Sequence, residues 1–483
     1  MIRRTTFAFL SWFFPTVLLA QVDAQKIREI DLFVTQNFEL QNYPSLCIAV
    51  IEKGEVKYIK AFGYADQKLK KKATTQTIYQ IGSVTKVFTG NILSRLLVEN
   101  KIGLTSPVST FFPGPVVFPK DSTGRGLTVF DVATHTGGLP TYPPTLHRLN
   151  GDAPILGFPK DSLLAGISQT RLLFNIGRRW RYSNYGYGVL GNIIEAVEKK
   201  PLDDVFASRL FRPLKMSSTS LLYRPEYKKR LAVPYLVDEL RIENKPWNLE
   251  SIAACGNVYS TITDMSKAMI YFLGSSPEVK LQTTKQYQIV DTSSYGLGCF
   301  VNRPRSYETY YINHGGDLDG YGSWFTFFPE KEIGFVLLTN SKKGREFSDL
   351  GYALGDIIMG KNVTLPAPTV LSLMRKTYME SGVEGSLGAY LKNKTIKTYS
   401  YDENALNLFG YDLLGLNKNK DAIKVFTLCT EEYPNSANAF DSLAEAYYTD
   451  GDPKESLKNY QRSIELNPDN RNAADWIKKI RGN

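Results

Sequence analysis

Residues 403–436 lie over residues 437–470 at a constant offset of 34. "ENALNLFGYDLLGLNKNKDAIKVFTLCTEEYPNS" falls on "ANAFDSLAEAYYTDGDPKESLKNYQRSIELNPDN", which pairs Leu413 with Tyr447, Ile423 with Leu457, Phe426 with Tyr460 and Pro434 with Pro468. A period of this length, with small and aromatic residues at fixed places and proline at the end, predicts one helix pair per unit. Such a pair cannot bury its own apolar face and must stack on a neighbour, so a third layer is needed. The stretch around 371–391 is the candidate for it, as a degenerate unit. The helical grammar begins after "TLPAP" (364–368), and the chain before it needs a different architecture.

From residue 27 to about 365 the sequence alternates strand-like and helix-like segments. "SLCIAVIEKGEVKYIKAFGYAD" reads as two strands joined at Lys53-Gly54, and "GSWFTFFPEKEIGFVLLTN" as two more about a Pro-Glu-Lys-Glu turn. Helical patterns cover 83–99, 185–199 and 346–358. Hairpins at both ends with helices between them predict an α+β body: an antiparallel sheet assembled from distant parts of the chain and flanked by helices. With 483 residues the chain exceeds one compact core, and two to three domains are expected. An apolar fraction of 43% and a charged fraction of 22% are those of an ordinary globular protein.

Arg3 and Arg4 precede an apolar run, residues 7–20, and then small residues. The run is short for a membrane span and predicts an export signal cleaved after Ala20 or Ala24, placing the mature chain in the periplasm or outside the cell. An uncleaved anchor is the alternative. No other stretch is long and apolar enough to span a bilayer. The formal charge of +10 is uneven: residues 1–24 carry +1 and residues 401–483 carry −4, leaving +13 on the body. A basic body could attract anionic wall or membrane surfaces, but its lysines are scattered and only short clusters such as "KLKKK" (68–72) occur, so a solvated surface is the favoured reading. The four cysteines, Cys47, Cys255, Cys299 and Cys429, show no CxxC spacing, and no disulfide or metal site is expected of them.

Three short patterns occur in a fixed order: "SVTK" at 83–86, "YSN" at 182–184 and "HGG" at 314–316. Ser83 and Lys86 sit where a polar turn gives way to an apolar helix, and a spacing of three puts both side chains on one helix face. A serine hydroxyl needs a base to attack a carbonyl. A lysine at the buried start of a helix can have its pKa lowered by desolvation and become that base. Tyr182 offers a second proton carrier, a phenol that a neighbouring cation would pull toward phenolate. Asn184 points the same way as Tyr182 if the segment is extended, and its amide can both donate to and accept from a peptide group. The glycines after His314 would let a substrate backbone lie along a strand edge, with "HGG" opening that strand.

In this order the motifs resemble the serine β-lactamase-related hydrolases: class C β-lactamases, D-alanyl-D-alanine carboxypeptidases, D-aminopeptidases and certain esterases. The resemblance runs from about residue 27 to 358 and includes "VFDVATHTGGLP" and "HGGDLDGYGSWFTFFPEKEIGFVLLTN". It implies a β-lactamase/penicillin-binding-protein-like fold, catalysis by Ser83, Lys86 and Tyr182, and substrate binding by Asn184, His314, Gly315 and Gly316. It also implies an oxyanion hole from the main-chain amides of Ser83 and Asp317. Ile176 replaces a usual proline, Cys255 a usual glycine, and His314 the lysine of the commoner KTG form. The 34-residue units resemble the tetratricopeptide repeat. The expected domains are a signal peptide (1–24), a catalytic domain (25–365), a helical linker (366–402) that doubles as the candidate degenerate repeat, and the repeats (403–483).

No cofactor or metal is called for. GxSxG and HExxH are absent, and with three histidines, His135, His147 and His314, a zinc hydrolase lacks ligands. His135 is expected to fix a loop. No phosphate loop or nucleic-acid module is present. The expectation is an exported serine hydrolase acting on an ester, amide or D-amino-acid peptide, better on these than on β-lactams. Two alternatives remain: a weakly catalytic or non-catalytic muropeptide or penicillin sensor whose repeat tail recruits a protein partner, and a body that serves as scaffold for a functional tail.

Overall fold

Strand β1 (Ser45–Glu52) is buried at every position and reads as a continuous apolar run, the signature of a strand covered on both faces. It turns through Lys53 and Gly54, both at positive φ (50° and 79°), into β2 (Glu55–Asp66). The computed structural model describes residues 22–482 except 113, 115, 144–159, 238–239, 241, 275, 342–343, 366–368, 395–398 and 400. Most of the expected export signal and His147 lie outside the described residues. Strands β3 (Lys71–Lys72) and β4 (Ile78–Gln80) follow, then β5 (Tyr235–Val237), β6 (Ile242–Glu243) and β7 (Tyr259–Thr261). The last group is β8 (Tyr287–Val290), β9 (Ser293–Tyr295), β10 (Phe300–Asn302), β11 (Tyr311–Leu318), β12 (Tyr321–Phe328) and β13 (Ile333–Thr339).

Nine strands form one antiparallel sheet in the order β3-β2-β1-β13-β12-β11-β10-β9-β8. The N-terminal hairpin and the C-terminal hairpin meet at β1 and β13, as the α+β reading expects. Alternation sorts the two faces. Ile48, Val50, Trp324, Phe335 and Leu337 pack on one side, with Ile30, Phe33 and Val34 of α1 (Ala24–Leu40). Cys47, Ala49, Ile51, Phe325, Val336 and Leu338 face the larger core on the other. That core contains α2 (Thr85–Val98), α3 (Val129–Ala133), α4 (Lys160–Gln169), α5 (Asn184–Glu198), α6 (Leu202–Phe206), α7 (Ile262–Leu273) and α8 (Pro277–Thr284), while α9 (Arg345–Ile358) covers the first face beside α1. All four cysteines are buried and free.

Upstream of α1, Val22 is buried, its amide donates to Glu52 Oε1 at 3.1 Å, and the Asp23 carboxylate caps the helix by accepting from Lys26 N at 2.8 Å. The fold thus takes hold before residue 24.

The tail repeats its local chemistry as well as its pattern. Its helices are α10 (Val370–Lys394), α11 (Glu403–Gly415), α12 (Asn419–Glu432), α13 (Ala437–Thr449), α14 (Pro453–Leu466) and α15 (Arg471–Arg481). Asp402, Ser436 and Asn470, spaced by 34, each cap a helix by accepting from the amide of an alanine three residues on. Asn417 and Gly451, also 34 apart, both take the left-handed conformation that ends the first helix of a unit. Gly410 lets α12 close on α11, since a Cβ there would lie 2.4 Å from the Phe426 ring, and its counterpart is the buried Ala444. α10 is broken at Ser381 and Gly382, and the Ser386 hydroxyl reaches back to Met374 O at 2.7 Å. The segment therefore doubles back as a helix pair and shares a core with α11 and α12.

The tail cores contain no residue of the body cores, and domains with their own cores can fold alone. A chain ending at Leu365 should stay soluble and keep the body's thermal transition within a few degrees. Aggregation of that chain in a melting assay would show that α10 covers body surface the sheet and helices cannot spare.

Candidate active site

Ser83 lies in a single 3₁₀ turn, Gly82–Val84, that leads into α2. Gly82 has φ +50°, and a Cβ there would crowd Leu318 and Asp317 N at 3.2–3.3 Å. α2 is buried on nearly every face, so it is a central post and not an amphipathic surface helix. Three polar contacts tie it to the segment after Ala253: Thr89 donates to Ala254 O (2.7 Å), Thr85 accepts from Val258 N (3.1 Å), and Lys86 Nζ donates to Cys255 O (2.6 Å). Gly90 and Gly298 admit the opposite wall, for a Cβ on either would strike Leu297 O or Lys86 O at 1.8–2.0 Å. Lys86 is consequently 0% exposed. Its amine also reaches Asn184 Oδ1 at 2.8 Å and Ser83 Oγ at 3.2 Å. Burial lowers its pKa to about 8.

Tyr182 and Asn184 arrive from the start of α5. Ser183 is the extended N-cap, its hydroxyl accepting from Gly186 N, and the helix begins at Asn184 itself. The extended link lets both flanking side chains meet Lys86, whose Nζ sits 4.7 Å from the Tyr182 ring centroid. Burial pushes the Tyr182 phenol well above its ordinary value, and the neighbouring Ser83 hydroxyl offsets this only in part. The expected pull toward phenolate is therefore reversed: loss of water around the phenol outweighs the nearby amine.

His135 takes positive φ (63°) and holds this segment from below. Its Nδ1 accepts from Ser183 N at 3.1 Å and its carbonyl from Arg181 N at 2.9 Å, the loop-fixing role expected of it. The histidine rings join a partly buried aromatic cluster: the His135 ring lies tilted 4.5 Å from Tyr182 and 4.6 Å from Tyr295, and Trp180 and Phe300 pack alongside.

"HGG" does not open its strand. β11 begins at Tyr311, three residues earlier, because Tyr311, Ile312 and Asn313 pair with β10. From His314 onward that side of β11 is free of a strand partner and faces the turn that carries Ser83. The two glycines serve different faces. Gly315 lies against Trp324, where a Cβ would come within 3.1 Å, on the side of α1 and α9 and away from Ser83. Gly316 faces Ile81 O, where a Cβ would approach to 2.2 Å, and Ser323 clamps the same carbonyl at 2.6 Å. The Gly315 side of the strand is turned from the cleft by the two-residue pleat, so only Gly316 and Asp317 N approach the serine turn.

His314 is buried, with Nδ1 donating to Gly315 O at 2.7 Å and Nε2 accepting from Tyr295 OH at 3.3 Å. Burial, reinforced by Lys86, lowers its pKa to about 3 despite the bond to Gly315. The structure thus brings Ser83, Lys86, Tyr182, Asn184, Gly316 and Asp317 N together, with His314 behind them. Sequence reasoning missed the Cys255 carbonyl, which any residue type could supply, and the aromatic cluster of Trp180, Tyr187, Tyr295 and Phe300, scattered over 121 positions.

Comparison with known proteins places this geometry. The Beta-lactamase family model matches residues 30–357 and a tetratricopeptide repeat model matches residues 437–470. Protein flp of Staphylococcus aureus (strain MRSA252) is 25% identical over 324 residues, 65% of this chain and 62% of that protein, so the chain spans less than two thirds of that relative. A "Beta-lactamase" of Escherichia coli (strain K12) is 26% identical over 345 residues, 64% of this chain and 86% of the relative. Among solved structures, the β-lactamase/D-alanine carboxypeptidase of Yersinia pestis, complexed with citrate, superposes with a TM-score of 0.62 at 22% identity, covering 69% of this chain and 98% of that one. The octameric penicillin-binding protein homologue of Pyrococcus abyssi gives 0.61 at 23%, covering 74% and 82%. At these identities the structural likeness speaks for the fold, and the family match for descent. The chain belongs to the Beta-lactamase family, whose members are generally serine hydrolases, and carries a tetratricopeptide repeat behind that domain.

Proposed function

We propose that the protein is an exported hydrolase that forms an acyl-enzyme on Ser83 and acts on an ester, an amide or a D-amino-acid peptide in preference to a β-lactam. The observation that carries this reading is the Lys86 amine, fully buried and surrounded by Cys255 O, Asn184 Oδ1 and Ser83 Oγ. As an ammonium it can donate to all three. As a neutral amine its two hydrogens stay on the short contacts at 2.6 and 2.8 Å, and the lone pair is left toward the Ser83 hydroxyl.

Ser83 Oγ then attacks the substrate carbonyl carbon while its proton passes to Lys86 Nζ. The resulting oxyanion is held by the amides of Ser83 and Asp317. Collapse breaks the bond to the leaving alcohol or amine, which takes a proton from the Lys86 ammonium through the neutral Tyr182 phenol. Water, deprotonated by the same pair, cleaves the acyl-Ser83 ester and restores the hydroxyl. Asn184 positions the acyl amide. His314 contributes no cation: at a pKa of about 3 it is neutral throughout the working range. A substrate carboxylate therefore gains nothing from this strand position, which favours neutral esters and amides over penicillins and cephalosporins.

Export rests on the apolar run at 7–20. Of the two cleavage positions, the one after Ala20 keeps Val22 against Glu52 and the Asp23 cap, whereas cleavage after Ala24 removes both. The repeat tail is assigned to protein binding.

Three outcomes are expected. Ser83→Ala abolishes labelling by a fluorophosphonate and by fluorescent penicillin with an unchanged melting curve, while Lys86→Ala and Tyr182→Phe each lower acylation by about a hundredfold or more. Stable labelling of the unaltered chain without turnover would instead support the sensor reading. The kcat/KM for p-nitrophenyl butyrate rises with pH through about 8, because only deprotonated Lys86 is a base and its pKa is lowered by burial. A rise centred near 6 would transfer the role to another group. Hydrolysis of p-nitrophenyl esters or D-alanyl peptides exceeds that of a chromogenic cephalosporin, and cephalosporin turnover at about 10⁴ M⁻¹s⁻¹ or more would overturn the preference.

A further inference from the structure

Two lysine clusters 158 residues apart in sequence meet on one surface of the body. The first is the β2–β3 hairpin, "DQKLKKK" (66–72), closed by the pairing of Tyr64 with Lys72 and of Asp66 with Lys71. The second is "KK" at 228–229, which ends a 3₁₀ turn, Pro225–Lys229. The fold clips them together: Lys71 Nζ donates to Lys229 O, Ile78 N to Arg230 O at 2.9 Å, and Val233 N to Ala65 O at 2.7 Å. Lys68, Lys70, Lys71, Lys72, Lys228 and Lys229 are all exposed, and none forms an ion pair among the described residues. Acidic groups are few here. The Asp66 carboxylate is engaged by Leu69 N at 2.9 Å, and Glu226 is the exposed acid on the second segment.

At the tip of the hairpin stands Leu69, 73% exposed, the most exposed large apolar side chain among the described residues. Lysines on a two-residue edge strand are a common guard against strand addition, which accounts for Lys71 and Lys72. It accounts neither for a leucine held out into solvent nor for the second cluster docked beside the first.

We propose that this surface binds the face of an anionic phospholipid bilayer, with the six lysines against the headgroups and Leu69 entering the interface. Lysine is a point charge suited to a diffuse layer of phosphates, and juxtaposed basic residues attract such surfaces additively. The apolar tip selects a bilayer over a soluble polyanion, since only the bilayer offers an apolar interior next to the negative charge. None of these residues belongs to the catalytic site, so binding and turnover separate.

The test is cosedimentation of the processed full-length protein with vesicles of phosphatidylcholine containing about one third phosphatidylglycerol, beside pure phosphatidylcholine, at about 0.05 and 0.5 M salt. Binding is expected for the anionic vesicles at low salt and not for the neutral ones. The pairs Lys70→Ala with Lys72→Ala, and Lys228→Ala with Lys229→Ala, should each weaken it about tenfold or more. Leu69→Ser should weaken it about fivefold while leaving retention on heparin unchanged. Ester hydrolysis by every variant should match the parent and serves as the control for folding. Absence of binding to anionic vesicles, or loss confined to the hairpin pair with 228–229 silent, overturns the proposal. Equal retention on heparin and vesicles with no effect of Leu69→Ser would make the surface a polyanion site instead and equally overturn it.

Discussion

An amine removed from all water must find an acceptor for each hydrogen or give up its charge, and Lys86 is held between those two outcomes. Three acceptors surround it, from the serine turn, from the first residue of α5 and from the chain before Gly256. The segments that carry Asn184 and Cys255 are each fixed by contacts of their own. The Cys255 carbonyl is presented because a 3₁₀ stretch, Glu250–Cys255, packs on α5, where Gly188 and Gly191 leave room for Ile252 and Ala254. Asn184 is presented because Ser183 caps α5 and His135 holds the Ser183 amide. Displacing any of these by an ångström would leave one hydrogen of the buried ammonium without an acceptor.

The sheet meets the helical core across the face that α7 covers, and meets the serine turn where the segment before α2 lies against β11. Close approach there depends on the absence of side chains at Gly82 and Gly316, and on Ser323 fixing the Ile81 carbonyl. β11 stops pairing with β10 at Asn313 while staying paired with β12 to Leu318, which is how an interior strand of a nine-stranded sheet can present a main-chain edge to the serine turn. The histidine on that strand is neutralised by the same burial that tunes the lysine. Lys86 and His314 thus shift in the same direction, both toward the neutral form, though only the histidine is moved far enough to be neutral near pH 7.

The tail obeys a different logic. Its stability comes from neighbour-to-neighbour contacts, with a cap, an alanine and a left-handed turn recurring every 34 residues. The broken helix α10 is the first layer of that stack and also touches the body, through Asn42 and Ser372 at 3.0 Å. One chain therefore joins a domain of long-range pairings to one of local contacts.

Local pattern was enough for much of this. The repeat offset, the strand alternation on either side of Lys53-Gly54, the Ser83-Lys86 spacing and the "YSN" segment each depend on residues a few positions apart, and a helix or hairpin realises them directly. What needed the tertiary structure involved groups brought from afar or the extent of burial. A backbone carbonyl at Cys255 has no side-chain signature. The protonation of Tyr182 depends on how completely water is excluded, and nearby charge alone suggested the opposite sign. The two glycines of "HGG" look equivalent in sequence, but the pleat turns Gly315 to the Trp324 face and Gly316 to the serine turn. The lysines at 68–72 and 228–229 are ordinary surface charges in sequence, and become one surface only when the chain beside β4 lays them together. Sequence determines what each segment can do locally; burial and long-range pairing decide which groups meet and in which charge state.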